Sequence, residues 1–255
     1  MAFIVYDSSF EGFLTVIFEC YARKITPVDI CSNKAFQENL FSGRIDIACD
    51  PQKADRVWRA LEVKLHRNNR NMPFFAFLSE EPGIEMKLYR FIRRMFDSRK
   101  SIETDYGDRD VLELRKIERR VMQEAHRIHQ FVRFQETRDG LFFAPVEPAC
   151  NVLPLAVNHF RARFSDQRWL VYDVKRDYGF FYDLHRTHEV VLSEKVFSPA
   201  TGKIPDLLIR EKEAIYQSLW KDYFNQISIK ERKNLRLQRQ HMPRRYWKFL
   251  PEKDQ

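Results

Sequence analysis

Glycine is scarce in this chain, with seven in 255 residues, and none falls in a GxxxxGK(S/T), GxGxxG or GxSxG pattern. That removes the phosphate-cradling P-loop, the dinucleotide fingerprint and the hydrolase elbow together. The four cysteines, Cys20, Cys31, Cys49 and Cys150, stand far apart, with no CxxC pair or three-cysteine cluster. No local zinc ribbon or iron–sulfur cluster can be built from that spacing, and free thiols in a reducing compartment are expected. Uninterrupted apolar runs long enough to span a bilayer are missing, and the opening MAFIVYDSSFEGF lacks the basic region of a signal peptide. The expectation is a cytoplasmic protein without membrane association, metal or cofactor. Low-complexity segments and internal repeats are absent as well.

What the chain does have is apolar mass and positive charge. Hydrophobic residues make up 44% of it and 22 are phenylalanine, enough for one large core or two modest ones, so global disorder is excluded. The net charge is +8, and nearly all of it sits in KERKNLRLQRQHMPRRYWK, Lys230 to Lys248, where eight basic side chains face one acid, Glu231. Such a cluster repels itself unless water or a polyanion compensates it, and nucleic acid offers phosphates at close, regular spacing. Lys230, Arg232, Lys233, Arg236, Arg239, Arg244 and Arg245 are therefore the candidate nucleic-acid contacts. Tyr246, Trp247 and Phe249 follow and offer faces for stacking. The alternative is a solvated helix face whose aromatics anchor the C-terminus. With Pro243 and Pro251 on either side, Trp247 is expected to be mainly buried in a docked turn, leaving binding to the arginines.

The hydrophobic period divides the chain into a mainly helical region with short strands (1–107), an α+β region with an antiparallel sheet (108–227) and a basic helical C-terminal segment (228–255). A strand over Phe3 to Tyr6 leads to Ser8 and Glu11 at capping-box spacing and a helix to Ala22. Asp50-Pro51 reads as a cap with proline at the first helical position, ahead of a stripe of Ala54, Val57, Trp58, Leu61 and Leu65. A helix from Gly83 to Phe96 puts Lys87, Arg90 and Arg94 on its outer face as a second basic patch.

The long helix from Asp108 to Gln130 carries two parallel stripes. One is apolar, Leu114, Ile117, Val121, Ala125, Ile128 and Val132; the other is Arg115, Arg119, Met122, His126, His129 and Arg133. His126 and His129 share a face, and with His159 or Asp173 could in principle hold a metal, although hydrogen-bonded histidines in a groove are far commoner. Beyond this helix, Asp139-Gly140 between alternating apolar runs signals a hairpin. Strands are expected at Trp169 to Val174, Gly179 to Asp183 and Glu189 to Leu192, with a helix from Asn151 to Phe164 and another from Asp206 to Gln226. The candidate groove beside the basic tail comprises His126, His129, Arg133, His159, Arg163, Asp173 and Arg176.

Several of these stretches carry a resemblance. EAHRIHQFVRFQE, VEPACNVLPLAVNHFRARFSDQRWLVYD, the C-terminal LWKDYF and SIKERKNLRLQRQHMPRRYWKFLPE, and the opening YDSSFEGFLTVIFECY with CDPQKADRVWRAL resemble a bacterial family of probable DNA metabolism proteins, itself a domain of unknown function. The resemblance implies company with a radical S-adenosylmethionine protein of DNA modification or repair, and fusion of a similar domain to a uracil-DNA glycosylase in some proteins. It defines no catalytic residue. Since this chain lacks a CxxxCxxC cluster, radical chemistry would belong to the partner. Three functions stay open: a DNA-binding accessory, single-stranded DNA included; a nuclease or glycosylase-like enzyme with a site near His126, His129, His159 and Asp173; and an adaptor that docks an acidic protein.

Overall fold

The computed structural model describes residues 2–32, 43–99, 102–193, 197–198, 205, 208–227 and 234–253. They form an α+β protein whose contacts separate into two units, Met1–Met122 and Gln123–Gln255.

The first unit opens with β1 (Ala2–Tyr6), α1 (Phe10–Ala22), β2 (Pro27–Ser32) and β3 (Gly43–Asp46). All three strands run parallel in the order β2-β1-β3, so α1 is the crossover that a parallel β1–β2 pair requires. The cap of α1 lies one residue beyond the expected Ser8. Ser9 Oγ accepts from Gly12 N–H, while Asp7 Oδ1 accepts from the Ser9 N–H and hydroxyl at 2.9 and 2.7 Å. Asp7 thus selects Ser9 as the cap, and Ser8 is left in a left-handed conformation at φ 71°. A Cβ at position 12 would meet Asp7 Oδ1 at 2.0 Å, so only glycine fits beneath this loop.

α2 (Pro51–Lys64) starts as its sequence indicates, with Asp50 Oδ1 accepting from Gln52 and Lys53 N–H. α3 (Met72–Phe77), α4 (Ile84–Asp97) and α5 (Arg109–Phe131) follow. Leu88, Phe91, Ile92 and Met95 of α4 are fully buried, as are Leu114 and Val121 of α5. The outer face of α4 is not a free basic patch. Lys87 pairs with Glu113 at 3.0 Å, Arg90 with Asp110 at 3.2 Å, and Arg94 with Asp108, which also caps α5 through the Asp110 and Val111 N–H groups.

The second unit is built on a five-stranded sheet in the order β4-β5-β6-β7-β8: β4 (Gln135–Glu136), β5 (Phe142–Val146), β6 (Trp169–Asp173), β7 (Tyr178–Tyr182) and β8 (Thr187–Val190). Gly140, at φ 74°, closes the β4–β5 hairpin. The sheet is antiparallel except for β5 and β6, which run parallel because α6 (Leu153–Arg163) crosses between them. β6 is buried along its whole length. Its Leu170 and Tyr172 pack with Phe143 and Phe197 on one side, and on the other Trp169 stacks on Tyr182 at 5.4 Å and meets the edge of Phe160 from α6 at 6.0 Å. The β6–β7 turn runs over Val174 to Asp177, and Gly179 lies inside β7. A side chain there would strike the Val171 carbonyl at 2.4 Å.

α7 (Glu211–Ile227), α8 (Leu235–His241) and α9 (Arg244–Trp247) complete the unit, and a 3-10 turn, Pro251–Lys253, packs on α7. Asn234 caps α8 through the Leu237 N–H, and Pro243 separates α8 from α9. No described helix is long and apolar enough to cross a membrane.

Candidate functional site

The two histidine-bearing helices of the second unit bring His129 of α5 against His159 of α6. Their rings stack at 4.1 Å with planes 21° apart, and the edge of Phe160 lies against both. The pair therefore rests on the aromatic column Phe160–Trp169–Tyr182, with His129 half-buried and His159 exposed to solvent. Burial, then the proximity of His159 and His126, lowers the His129 pKa from its ordinary value. Its Nε2 is buried without a hydrogen-bond partner among the described residues. His126 is exposed one turn back and bonds Gln130 at 2.9 Å. Arg163 shares the outer face of α6 with His159, and its guanidinium lies over Phe164 at 5.7 Å. Neither stacked ring bonds a carboxylate among the described residues, so no acid orients them as a general base requires. No three His, Cys, Asp or Glu side chains form a metal-holding group among those residues either.

Asp173 and Arg176 belong to different business. Asp173 is completely buried at the end of β6. One oxygen accepts from the Lys175 and Arg176 N–H groups and the other from the Arg176 guanidinium at 2.7 Å. Arg176 also reaches the carbonyls of Pro148 and Ala149 at 3.1 and 3.2 Å. Burial raises the Asp173 pKa in spite of the pairing. These two residues hold the β6–β7 turn to the β5–α6 loop, which is a structural role.

The basic tail divides in the same way. Arg245 lies against Glu124 of α5, a side chain 2% exposed, which also accepts from the Tyr246 hydroxyl at 2.8 Å and the Ala149 N–H at 2.7 Å. Burial works to raise the Glu124 pKa. The Ala149 N–H, Arg245 and Tyr246 outweigh it, and the carboxyl titrates below the usual glutamate range. Lys248 pairs with Glu147. By contrast, Arg236, Arg239 and Arg244 are exposed, and none has an acidic partner among the described residues. Lys230, Arg232 and Lys233 lie outside those residues. Tyr246, rather than Trp247, is the fully buried anchor, at 2% exposure. Trp247 is half-buried, its indole N–H bonded to the Met242 carbonyl at 3.0 Å, with Arg244 and Lys253 over its ring at 6.0 and 5.2 Å. Arg133, placed by sequence beside the histidines, pairs instead with Glu252 at 2.7 Å and lies over Trp220 at 5.3 Å.

The stretch that carries the histidine pair, the Glu124 anchor and the tail is also the stretch that matches a known family: residues 82–252 fit a domain of unknown function, DUF4130. The chain belongs to the DUF4130 family. No curated protein matches it. Among solved structures it is similar to a pGpG-specific phosphodiesterase, PggH, from Vibrio cholerae, at 12% identity and a TM-score of 0.37, over 89% of this chain and 98% of that one. A likeness of that grade does not extend to chemistry. The DUF4130 match leaves out β1 to α3 and takes in every candidate site residue named above.

Trp220, Tyr223 and Glu252 of this DUF4130 chain do not stand out in the sequence. Glu252 is one acid in a charged C-terminus, and the α7 aromatics read as the buried stripe of an ordinary helix. The available signal was the helical spacing of Ile215, Tyr216, Leu219, Trp220 and Tyr223, which leaves an apolar stripe one turn after another.

Proposed function

We propose that this chain is a nucleic-acid-binding accessory of DNA repair or modification, which contacts phosphates through its C-terminal arginines and works beside a radical S-adenosylmethionine protein. One contrast carries the binding reading. The basic residues of α4 are each neutralised by an acid, whereas Arg236, Arg239 and Arg244 are exposed and lack one among the described residues. Uncompensated arginines on consecutive short helices are electrostatically unfavourable until a polyanion arrives, and their planar guanidinium groups suit phosphate oxygens. The repair context and the radical partner rest on the resemblance to probable DNA metabolism proteins.

The binding accessory is favoured over a nuclease or glycosylase-like enzyme because the acid such a site would use, Asp173, is tied to Arg176 and its own turn. An adaptor for an acidic protein would use the same arginines, and the two are separated by competition. Purified protein is expected to bind labelled DNA at low salt and to release it as salt rises, because each phosphate contact displaces counterions. Absence of DNA binding at low salt would contradict the proposal.

A further inference from the structure

Two indoles flank the Pro251–Lys253 turn. Trp220 donates its N–H to Glu252 Oε2 at 2.9 Å, and the other oxygen of Glu252 holds Arg133 at 2.7 Å. That arginine, fixed by the Gln130 and Val132 carbonyls, lies against the Trp220 ring. The Glu252 side chain is only 1% exposed, so this is a built support. It fixes the indole by its edge and keeps 40% of the residue open to solvent. Tyr223, 54% exposed, lies next to it with ring centroids 5.7 Å apart. On the other side of the turn, Trp247 is fixed through its own N–H and flanked by Arg244 and Lys253.

We propose that Trp220 and Tyr223, with Trp247, form a stacking platform for the unpaired bases of single-stranded nucleic acid. This rests on the binding reading above and names its ligand class. Rings held in place before the ligand arrives lose little freedom on stacking, and rings interleaved with cations and exposed arginines match both halves of a single strand, its bases and its phosphates. Duplex DNA, with its bases already stacked, has no use for such rings. Ile215 and Leu219 of the same helix are also exposed and would suit a second protein. The aromatic and cationic neighbours, and the fixed indole edges, favour the nucleic acid.

The test is fluorescence anisotropy with labelled oligo-dT of about 15 nucleotides and a mixed-sequence duplex of the same length. The wild-type full chain is compared with Tyr223→Ala, Trp220→Ala/Tyr223→Ala and Trp220→Phe. The double variant is expected to lose about tenfold or more in oligo-dT affinity for each ring removed, with duplex affinity nearly unchanged. Trp220→Phe, which keeps a ring, should retain most of the binding. Tyr223 makes no hydrogen bond among the described residues, so Tyr223→Ala decides the matter if the double variant does not fold. Unchanged oligo-dT affinity, an equal loss on duplex, or a wild-type dimer that Tyr223→Ala converts to monomer would each overturn the platform. If the wild type binds the duplex and oligo-dT with the same insensitivity to these rings, only the platform falls. If it binds neither at low salt, the binding reading falls with it.

Discussion

Glu124→Ala is expected to destabilise the second unit by about 3–5 kcal/mol, the cost of removing one partner from a buried ion pair. The reason is what remains behind: the Arg245 guanidinium, the Tyr246 hydroxyl and the Ala149 N–H all lose their shared acceptor. Because Arg245 and Tyr246 belong to α9, the same substitution should loosen the C-terminal helix, which hydrogen exchange over Arg244 to Leu250 would show. The pH dependence has a definite sign. Since the folded pKa of Glu124 lies below its ordinary value, the unfolded chain takes up a proton more readily, and stability from this group is complete above the usual glutamate pKa of about 4.3. It is lost as pH falls through the lower folded value. Chemical denaturation from neutral to acid pH should show that decline in the wild type, and Glu124→Gln should flatten it.

Trp169→Ala should cost a similar amount, about 3–5 kcal/mol, by opening a cavity between Phe160 and Tyr182. Trp169→Phe should cost markedly less. Besides keeping a ring in the column, it removes an indole N–H that is buried without a partner among the described residues, and so relieves an unsatisfied donor. Equal losses for the two variants, measured by urea unfolding, would mean that the column is not held by ring packing. His129 and His159 rest on the edge of Phe160, so the alanine variant should also disturb their stacking.

Much of the architecture is legible wherever its cause is local. The α5 stripe, the Asp50-Pro51 start of α2 and the Asp139-Gly140 hairpin follow from period and cap chemistry within a few residues. The parallel pairing of β5 with β6 and the three parallel strands around β1 do not, because strand direction is set by a crossover whose return point no local pattern records. The same limit applies to the site. The tail's arginines are visible as a run of charge. That Arg245 answers Glu124, 121 residues earlier, is a long-range choice, and it separates Arg245 from Arg236, Arg239 and Arg244 although the sequence presents them alike. Trp247 follows the same logic: the flanking prolines suggest a docked turn, and the turn is docked, but Tyr246 takes the interior position because its hydroxyl reaches Glu124 and the indole is left at the surface beside Arg244 and Lys253.

The most direct measurement of the central claim is the slope of log K against log salt for DNA binding by the wild type and by Arg236→Ala/Arg239→Ala/Arg244→Ala, with folding verified by melting temperature. Each of these arginines that meets a phosphate contributes about 0.9 to the slope on duplex DNA. The variant should therefore bind more weakly at every salt concentration and show a slope shallower by about one unit per contact removed. A folded variant with the wild-type slope and affinity would contradict the assignment of the C-terminal arginines as the phosphate-binding surface.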